Sequence, residues 1–466
     1  METSTGRVDQ PLLVGLLASL LSASLGTSAT AAVLPSIAVD LDGGFGGAQW
    51  VALGYLIAMT VTSPAAGFAG DTWGRRRTLV LGAGVFASAS IGAGLAPSLG
   101  VLIAARVVQG GGAAVMMALP LAIARDAAPE GRTGTVMGLL GTAGAVGTAS
   151  GPAVGGLLAS WAGWPAIFWG TTALGVLTTV LLAVPTGRDD PQRQHGFDLA
   201  GALLLTAAIT LGSLTITLDL GLPATAALLS VTVGAVLAFG AVERRSSHPV
   251  LPLRMLTGRP LGMGSVLNLL VGATMMSTLV IGPFFLAGGL GLSTAQIGLV
   301  MAAGPVTSIC TGVLAGRIVD RLGAERMTRT GLAVMAAAVL VLAFLPGWLG
   351  LPGYLAGTVL LAPGYQLFLA ANNTAVLGAV DETRRGAAAG TLSLARNLGM
   401  VAGASAMGTV YTLAAQVSDI ATAPSNALTM GLRITYSVVG LALLTATLVQ
   451  RAARVRLEPT ETSVLQ

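Results

Sequence analysis

Gly67-Phe-Ala-Gly-Asp71-Thr-Trp-Gly74-Arg-Arg-Arg77 closes one apolar run, and Gly316-Arg-Ile-Val-Asp320-Arg-Leu-Gly323-Ala-Glu-Arg326 closes another 249 residues later. The two stretches keep Gly, Asp and Gly in register and carry arginine at the same end, so the chain contains a long internal repeat. What surrounds them is apolar: of 466 residues 54% are hydrophobic and 9% charged, with a mean hydropathy of +0.82. Soluble domains carry about 25% charged residues, so this composition reads as an integral membrane protein. The 65 Gly and 21 Pro sit inside apolar runs, where membrane helices tolerate them, and this excludes disorder.

A span needs about 20 apolar residues to cross a core of about 30 Å. Fourteen stretches qualify, near 11–34, 49–70, 78–96, 99–124, 134–159, 164–184, 198–218, 222–242, 262–286, 296–316, 330–347, 353–378, 388–413 and 428–450. The first is too long for a signal h-region and lacks an A-x-A site, so it should stay as a span. Loops test the count independently, because cytoplasmic ones hold the arginines. Arg75, Arg76 and Arg77 follow span two, Arg125 and Arg132 flank the turn after span four, and Arg188 and Arg193 follow span six. Arg244, Arg245, Arg254 and Arg259 follow span eight, Arg317, Arg321, Arg326 and Arg329 cluster after span ten, Arg384 and Arg385 follow span twelve, and Arg451, Arg454 and Arg456 end the chain. The other loops hold no Arg, only Asp40, Asp42, Asp219 and Asp419. Both termini are therefore expected in the cytoplasm, in a multi-pass protein of the cell membrane. The longest polar connections divide the chain into a tail (1–10), six spans (11–184), a linker with two spans (185–261), six spans (262–450) and a second tail (451–466).

Several chemistries drop out. Cys310 is the only cysteine, His195 and His248 lie apart in polar stretches, and all 24 basic residues are Arg. No disulfide framework, metal cluster, Schiff-base lysine or P-loop lysine can be built from these. The sequence pI near 10.1 comes from arginines scattered between spans rather than gathered into a nucleic-acid-binding face. Two matched six-span bundles suit a rocking transporter. A membrane-embedded enzyme would need a nucleophile, metal set or acid/base pair at a cavity, and the spans offer none, so no enzyme activity is expected.

Further motifs carry a family likeness. Leu102-Ile-Ala-Ala-Arg106-Val-Val-Gln109-Gly110-Gly-Gly112 lies in span four, and Gly147-Thr-Ala-Ser-Gly151-Pro152-Ala-Val-Gly155-Gly156 in span five. Leu34-Pro35, Gln49-Trp50-Val51 and Arg396-Asn397-Leu-Gly399 add to them. With the loop after span two, the chain resembles the major facilitator superfamily over its whole length, specifically the fourteen-span branch of drug:proton antiporters. The resemblance implies an all-α polytopic membrane protein of the major facilitator fold, with two six-helix bundles plus two linker spans. It further implies alternating access powered by the proton gradient, a small-molecule substrate, the lipid bilayer as surroundings, and neither cofactor nor obligate protein partner.

Each motif has a physical reading. Gly67 and Gly74 permit close approach and a tight turn, and Asp71 can accept from an Arg or a helix N-terminus. The resemblance makes Asp71, Arg75, Arg76 and Asp320 parts of a latch between bundles, although the usual basic residue after the Asp is Thr72 in one copy and Arg321 in the other. Gly147, Gly151 and Gly155 recur at i, i+4 and i+8 and leave one bare helix face for another backbone, while Pro152 disturbs the local helix. The resemblance adds that this motif marks exporters.

Charge within a span costs at least about 2.5 to 3.5 kcal/mol, which singles out Arg106, Arg396 and Arg433. Arg106 lies about 10 Å into span four; the resemblance assigns it, with Gln109, to coupling or the central cavity. In this branch span one normally carries an Asp and an Asn, here replaced by Gly26 and Ala31. With no carboxylate deep in a span, the usual proton carrier is missing, leaving Asp40, Asp42 or Asp71 near the surfaces. Three cations and no anion favour neutral or weakly acidic amphipathic substrates. Gly26, Trp50, Tyr55, Asn268, Gln366, Asn372, Asn373, Arg396, Asn397 and Arg433 are the candidates for the cavity wall. The expected function is export of drug- or antibiotic-like compounds; uncoupled metabolite transport on the same fold is the rival.

Overall fold

The structure, a computed structural model, describes residues 10–127, 133–183, 198–218, 220–247, 249–251, 253–256, 258–381, 384–416 and 423–455. Arg132, Arg188, Arg193, His195, Asp219, His248, Asp419 and Arg456 lie outside the described residues, as do most of both tails and of the 185–197 connection.

Fourteen long helices follow one another among the described residues. They are α1 (Gln10–Ser28), α2 (Gly44–Trp73), α3 (Arg75–Gly94), α4 (Leu99–Ala127), α5 (Thr133–Ala162), α6 (Pro165–Ala183), α7 (Leu199–Thr217), α8 (Leu222–Glu243), α9 (Arg259–Phe284), α10 (Thr294–Leu322), α11 (Ala324–Phe344), α12 (Leu351–Gly378), α13 (Arg385–Ala402) and α14 (Ser425–Val455). Thirteen spans, some of them extended by short segments, are long and apolar enough to cross a membrane. The other helix, α5, has the length but is diluted by eight glycines. The chain is an all-α polytopic membrane protein.

Local chemistry explains where the helices end. Gly74 and Gly323, matched in the repeat, adopt φ of 97° and 85°, a region that disfavours side chains, and turn the chain from α2 into α3 and from α10 into α11. Ser293 and Gln296 form a capping box at the start of α10, and Asp198 caps α7 through the Gly201 amide. Two expected boundaries move. Span one does not stop at residue 34: a 3-10 turn at Ala31–Val33 leads into a further helix, Leu34–Asp40, with Pro35 in its first turn, where a missing N–H costs nothing. The last helix runs on through Arg451 to Val455 rather than ending at residue 450. Beyond Pro283 and Ala402 the helices α9 and α13 continue as π-turns, Phe285–Gly289 and Gly403–Met407.

Helices α1 to α6 pack on one another, as do α9 to α14; α7 and α8 pair as a hairpin, and α7 touches α2 and α13. The two sets share one arrangement. In the first, α5 packs on α1 and also reaches α10; in the second, α13 packs on α9 and also reaches α2. The glycine-bearing helix of each set thus serves two neighbours, one within its own bundle and one across.

Candidate functional site

Arg106 is 1% exposed. Its Nε donates to the Val51 carbonyl at 3.1 Å, and its Nη1 donates to the Gly26 carbonyl at 3.1 Å and to Gln109 Oε1 at 2.7 Å. The guanidinium carbon stands 4.1 Å from the Tyr55 ring centroid, a cation–π distance. Gln109 passes the network on, with Nε2 donating to Ser90 Oγ at 2.7 Å. Arg106 therefore joins α4 to the backbones of α1 and α2 inside the first bundle, its charge met by carbonyl dipoles and a ring. Arg106 and Gln109 come together here, with the Arg106 guanidinium enclosed by the first bundle.

The bare face of α5 lies against α1. A Cβ at Gly147 would stand 2.6 Å from the Leu21 carbonyl oxygen, and one at Gly151 would be 3.0 Å from the Ala29 amide nitrogen and in collision with Ser28 Oγ. At Gly155 it would collide with the Ala29 carbonyl. One residue on, Gly156 turns to the other bundle: a Cβ there would meet the Thr294 carbonyl oxygen at 2.6 Å and Gly298 Cα at 2.9 Å, while Gly298 in turn faces the Pro152 carbonyl. Pro152 does not break α5, which runs unbroken from Thr133 to Ala162. Five helical turns, or 18 residues, separate Gly156 from Gly138 and Gly298 from Gly316, so each pair shares a face. A Cβ at Gly138 or at Gly316 would meet nothing within 4 Å. The seam is tight at the arginine-free end, and these glycines lie open at the arginine-rich one.

More contacts close the arginine-free end. Gln49 Nε2 donates to the Ala404 carbonyl, inside the π-turn that extends α13, and Gly408 sits against the same amide. Phe45 packs edge-on to Phe284 at 4.7 Å and tilted against Tyr411 at 5.9 Å. Trp50 Nε1 donates to Thr217 Oγ1 at 3.1 Å, so this residue ties α2 to the hairpin. Beside the seam, a cleft of about 440 Å³ has Asp40 as its one ionisable wall residue, next to Pro35 and Trp164.

At the opposite face Arg75 donates to Asp71 Oδ1 through Nε and Nη2 at 3.1 and 3.0 Å, and to Asp126 Oδ2 at 2.5 Å. Arg76 donates to the Leu182 carbonyl at 2.9 Å. These bonds lie within the first bundle. Asp320 makes no ion pair among the described residues. Gly67 fronts open space, so the expected close approach there is not made; the turn itself is Gly74.

Other candidate cavity residues are spread through the protein. A Cβ at Gly26 would meet Phe86 Cζ at 3.0 Å and Tyr55 Oη at 3.4 Å, and Tyr55 is itself fully buried, so both belong to the bundle interior. Gly26→Asp should leave the tolerance for cationic compounds unchanged; a widened profile in a susceptibility screen would return Gly26 to the transport path. Asn268 Nδ2 donates to the Leu392 carbonyl and Asn372 Nδ2 to that of Gly264, each at 3.2 Å, fastening α9 to α13 and α12. Arg433 lies over the half-exposed Phe344 ring, its guanidinium carbon 5.0 Å from the centroid. Gln366, Asn373, Arg396 and Asn397 are half-buried.

Sequence reasoning missed Gly298, Phe45 and the closure role of Gln49. It also missed Glu243, 3% exposed, whose carboxylate accepts from the Leu251 amide with Asp198 close by across Gly201. Its place at the end of an apolar run gave no sign of burial.

Comparison with known proteins adds to this geometry. The family described as Major Facilitator Superfamily matches residues 16–404. The chain is 30% identical over 385 residues to multidrug resistance protein Stp of Mycobacterium tuberculosis (strain CDC 1551 / Oshkosh), covering 81% of this chain and 71% of that protein. It is 27% identical over 421 residues to the tetracenomycin C resistance and export protein of Streptomyces glaucescens, covering 88% and 77%. A crystal structure of a point mutant of the nucleoside transporter NupG superposes with a TM-score of 0.70 at 13% identity, over 95% of this chain and 99% of that one, a likeness of fold.

Proposed function

The chain belongs to the Major Facilitator Superfamily, and on that premise we propose that it exports small amphipathic compounds, neutral or weakly acidic, from the cytoplasm or inner leaflet of a bacterial cell membrane. The relatives named for multidrug resistance and for tetracenomycin C export support the direction and the substrate class. Residues 11–184 and 262–450 act as two units that tilt against each other, with 185–261 bridging them. Both termini face the cytoplasm, because the arginine-rich loops mark that side. Transport rather than catalysis is the role, without cofactor or obligate protein partner.

The observation that carries the reading is the α5–α10 seam: backbone touches backbone at Gly156 and Gly298, whereas Gly138 and Gly316 on the same faces lie open. A seam tight at one end is what a rocking pair of bundles produces in one of its two states. This is the state closed to the outside, and the Asp71–Arg75–Asp126 cluster sits at the opposite, arginine-rich end.

The proton gradient supplies the energy. Asp40 in the outer cleft and Asp71 at the inner face are the acids placed to meet protons from either side. Everted vesicles containing the protein should accumulate an amphipathic dye when energised and lose it on adding a proton uncoupler. Uncoupler-insensitive movement down the dye gradient would refute proton coupling and favour facilitated diffusion of a metabolite.

A further inference from the structure

A groove of about 480 Å³ opens between α11 and α14 at the arginine-rich face. Its wall along α11 is a single stripe: Arg326, Arg329 and Thr330, then Ala333, then Ala337, residues three or four apart that share one helix face. Arg451 stands opposite on α14, one turn beyond Thr447. None of the three arginines takes part in an ion pair among the described residues. Glu325 begins the same helix but is not part of the lining. The groove therefore concentrates positive charge with no ion-pair partner among the described residues.

Its shape continues that logic. Ala333 and Ala337 are exposed on the outside of the second bundle, and their small side chains keep the groove open along roughly 16 Å of helix from Arg326. Guanidiniums lie at one end and apolar wall at the other, the profile of an amphiphile with an anionic head. A soluble anion would use the arginines and leave the apolar wall empty.

We propose that this groove binds an anionic phospholipid from the leaflet at the arginine-rich face, its phosphate held by Arg326, Arg329 and Arg451 and an acyl chain lying along Ala333, Val334 and Ala337. Arginine suits the task, since its planar fork matches phosphate oxygens, and basic pockets between spans attract such head groups.

The purified full-length protein, exchanged into detergent with phosphatidylglycerol or phosphatidylcholine of the same acyl chains, should retain phosphatidylglycerol about tenfold better in native mass spectrometry. The combined variant Arg326→Gln, Arg329→Gln, Arg451→Gln should abolish that preference. Equal retention of the two lipids by the unaltered protein would overturn the proposal, and needs no variant. So would a triple variant that keeps the preference, or inorganic phosphate displacing phosphatidylglycerol fully at equal concentration, which would assign the site to a soluble anion.

Discussion

Arg106→Lys should abolish transport as completely as Arg106→Ala, although lysine keeps the charge. The guanidinium spans three acceptors on two nitrogens, the Val51 and Gly26 carbonyls and Gln109 Oε1, and lies over Tyr55. A single ammonium cannot reach the α1 and α2 backbones at once. Each hydrogen bond to a charged group contributes about 1.5–3 kcal/mol, and an acceptor left buried and unmet costs about 1–3 kcal/mol more. Losing one such clamp in either variant should lower the thermal midpoint of the purified protein by several degrees. Transport in everted vesicles should fall to background in both. Were Arg106 a mobile charge carrier, the Lys variant would keep part of the activity while the Ala variant lost it. Unchanged melting and transport in the Lys variant would remove Arg106 from the framework.

Arg106 also shows what was legible in the sequence and what was not. Its depth followed from counting residues into span four, since rise per residue is fixed. Its direction did not, because the rotation of a helix is set by partners remote in sequence, here the carbonyls of Val51 and Gly26. In the sequence Gly26 reads as a position where an acid is missing, whereas in the fold it supplies a carbonyl to Arg106 in a space closed by Phe86 and Tyr55. The α5 stripe behaved differently. Gly147, Gly151 and Gly155 announce a close backbone contact by spacing alone, and α1 lies there. Gly156 and Gly298 carry the contact between bundles, yet nothing local distinguishes them among 65 glycines. Glu243 reads as a loop-end acid until the 250–251 segment folds over it. Patterns internal to one helix were readable; contacts created by the second bundle or by a connection closing over a helix end were not.

The same seam yields the second large effect. Gly156→Leu should hold the arginine-free end apart and stop transport. A Cβ at this position would meet the Thr294 carbonyl oxygen at 2.6 Å and Gly298 Cα at 2.9 Å, backbone atoms that cannot rotate aside as a side chain would. Overpacking of this kind costs about 1–3 kcal/mol. The penalty falls only on the state in which the two backbones touch, so the equilibrium between states shifts by roughly 5- to 150-fold. The shift can be read without substrate. The reporter is Ala302→Cys, one turn from Gly298 at a position 8% exposed, in a chain whose native thiol, exposed and unpaired, is removed by Cys310→Ser. An impermeant thiol reagent applied from the arginine-free side should label position 302 slowly in the otherwise unaltered protein and much faster with Gly156→Leu. Gly138→Leu, five turns down the same face where a Cβ meets nothing, should leave that labelling slow, because it adds no clash to the sealed state. Equal labelling rates with and without Gly156→Leu, together with undiminished export, would show that the bundles do not part along this seam.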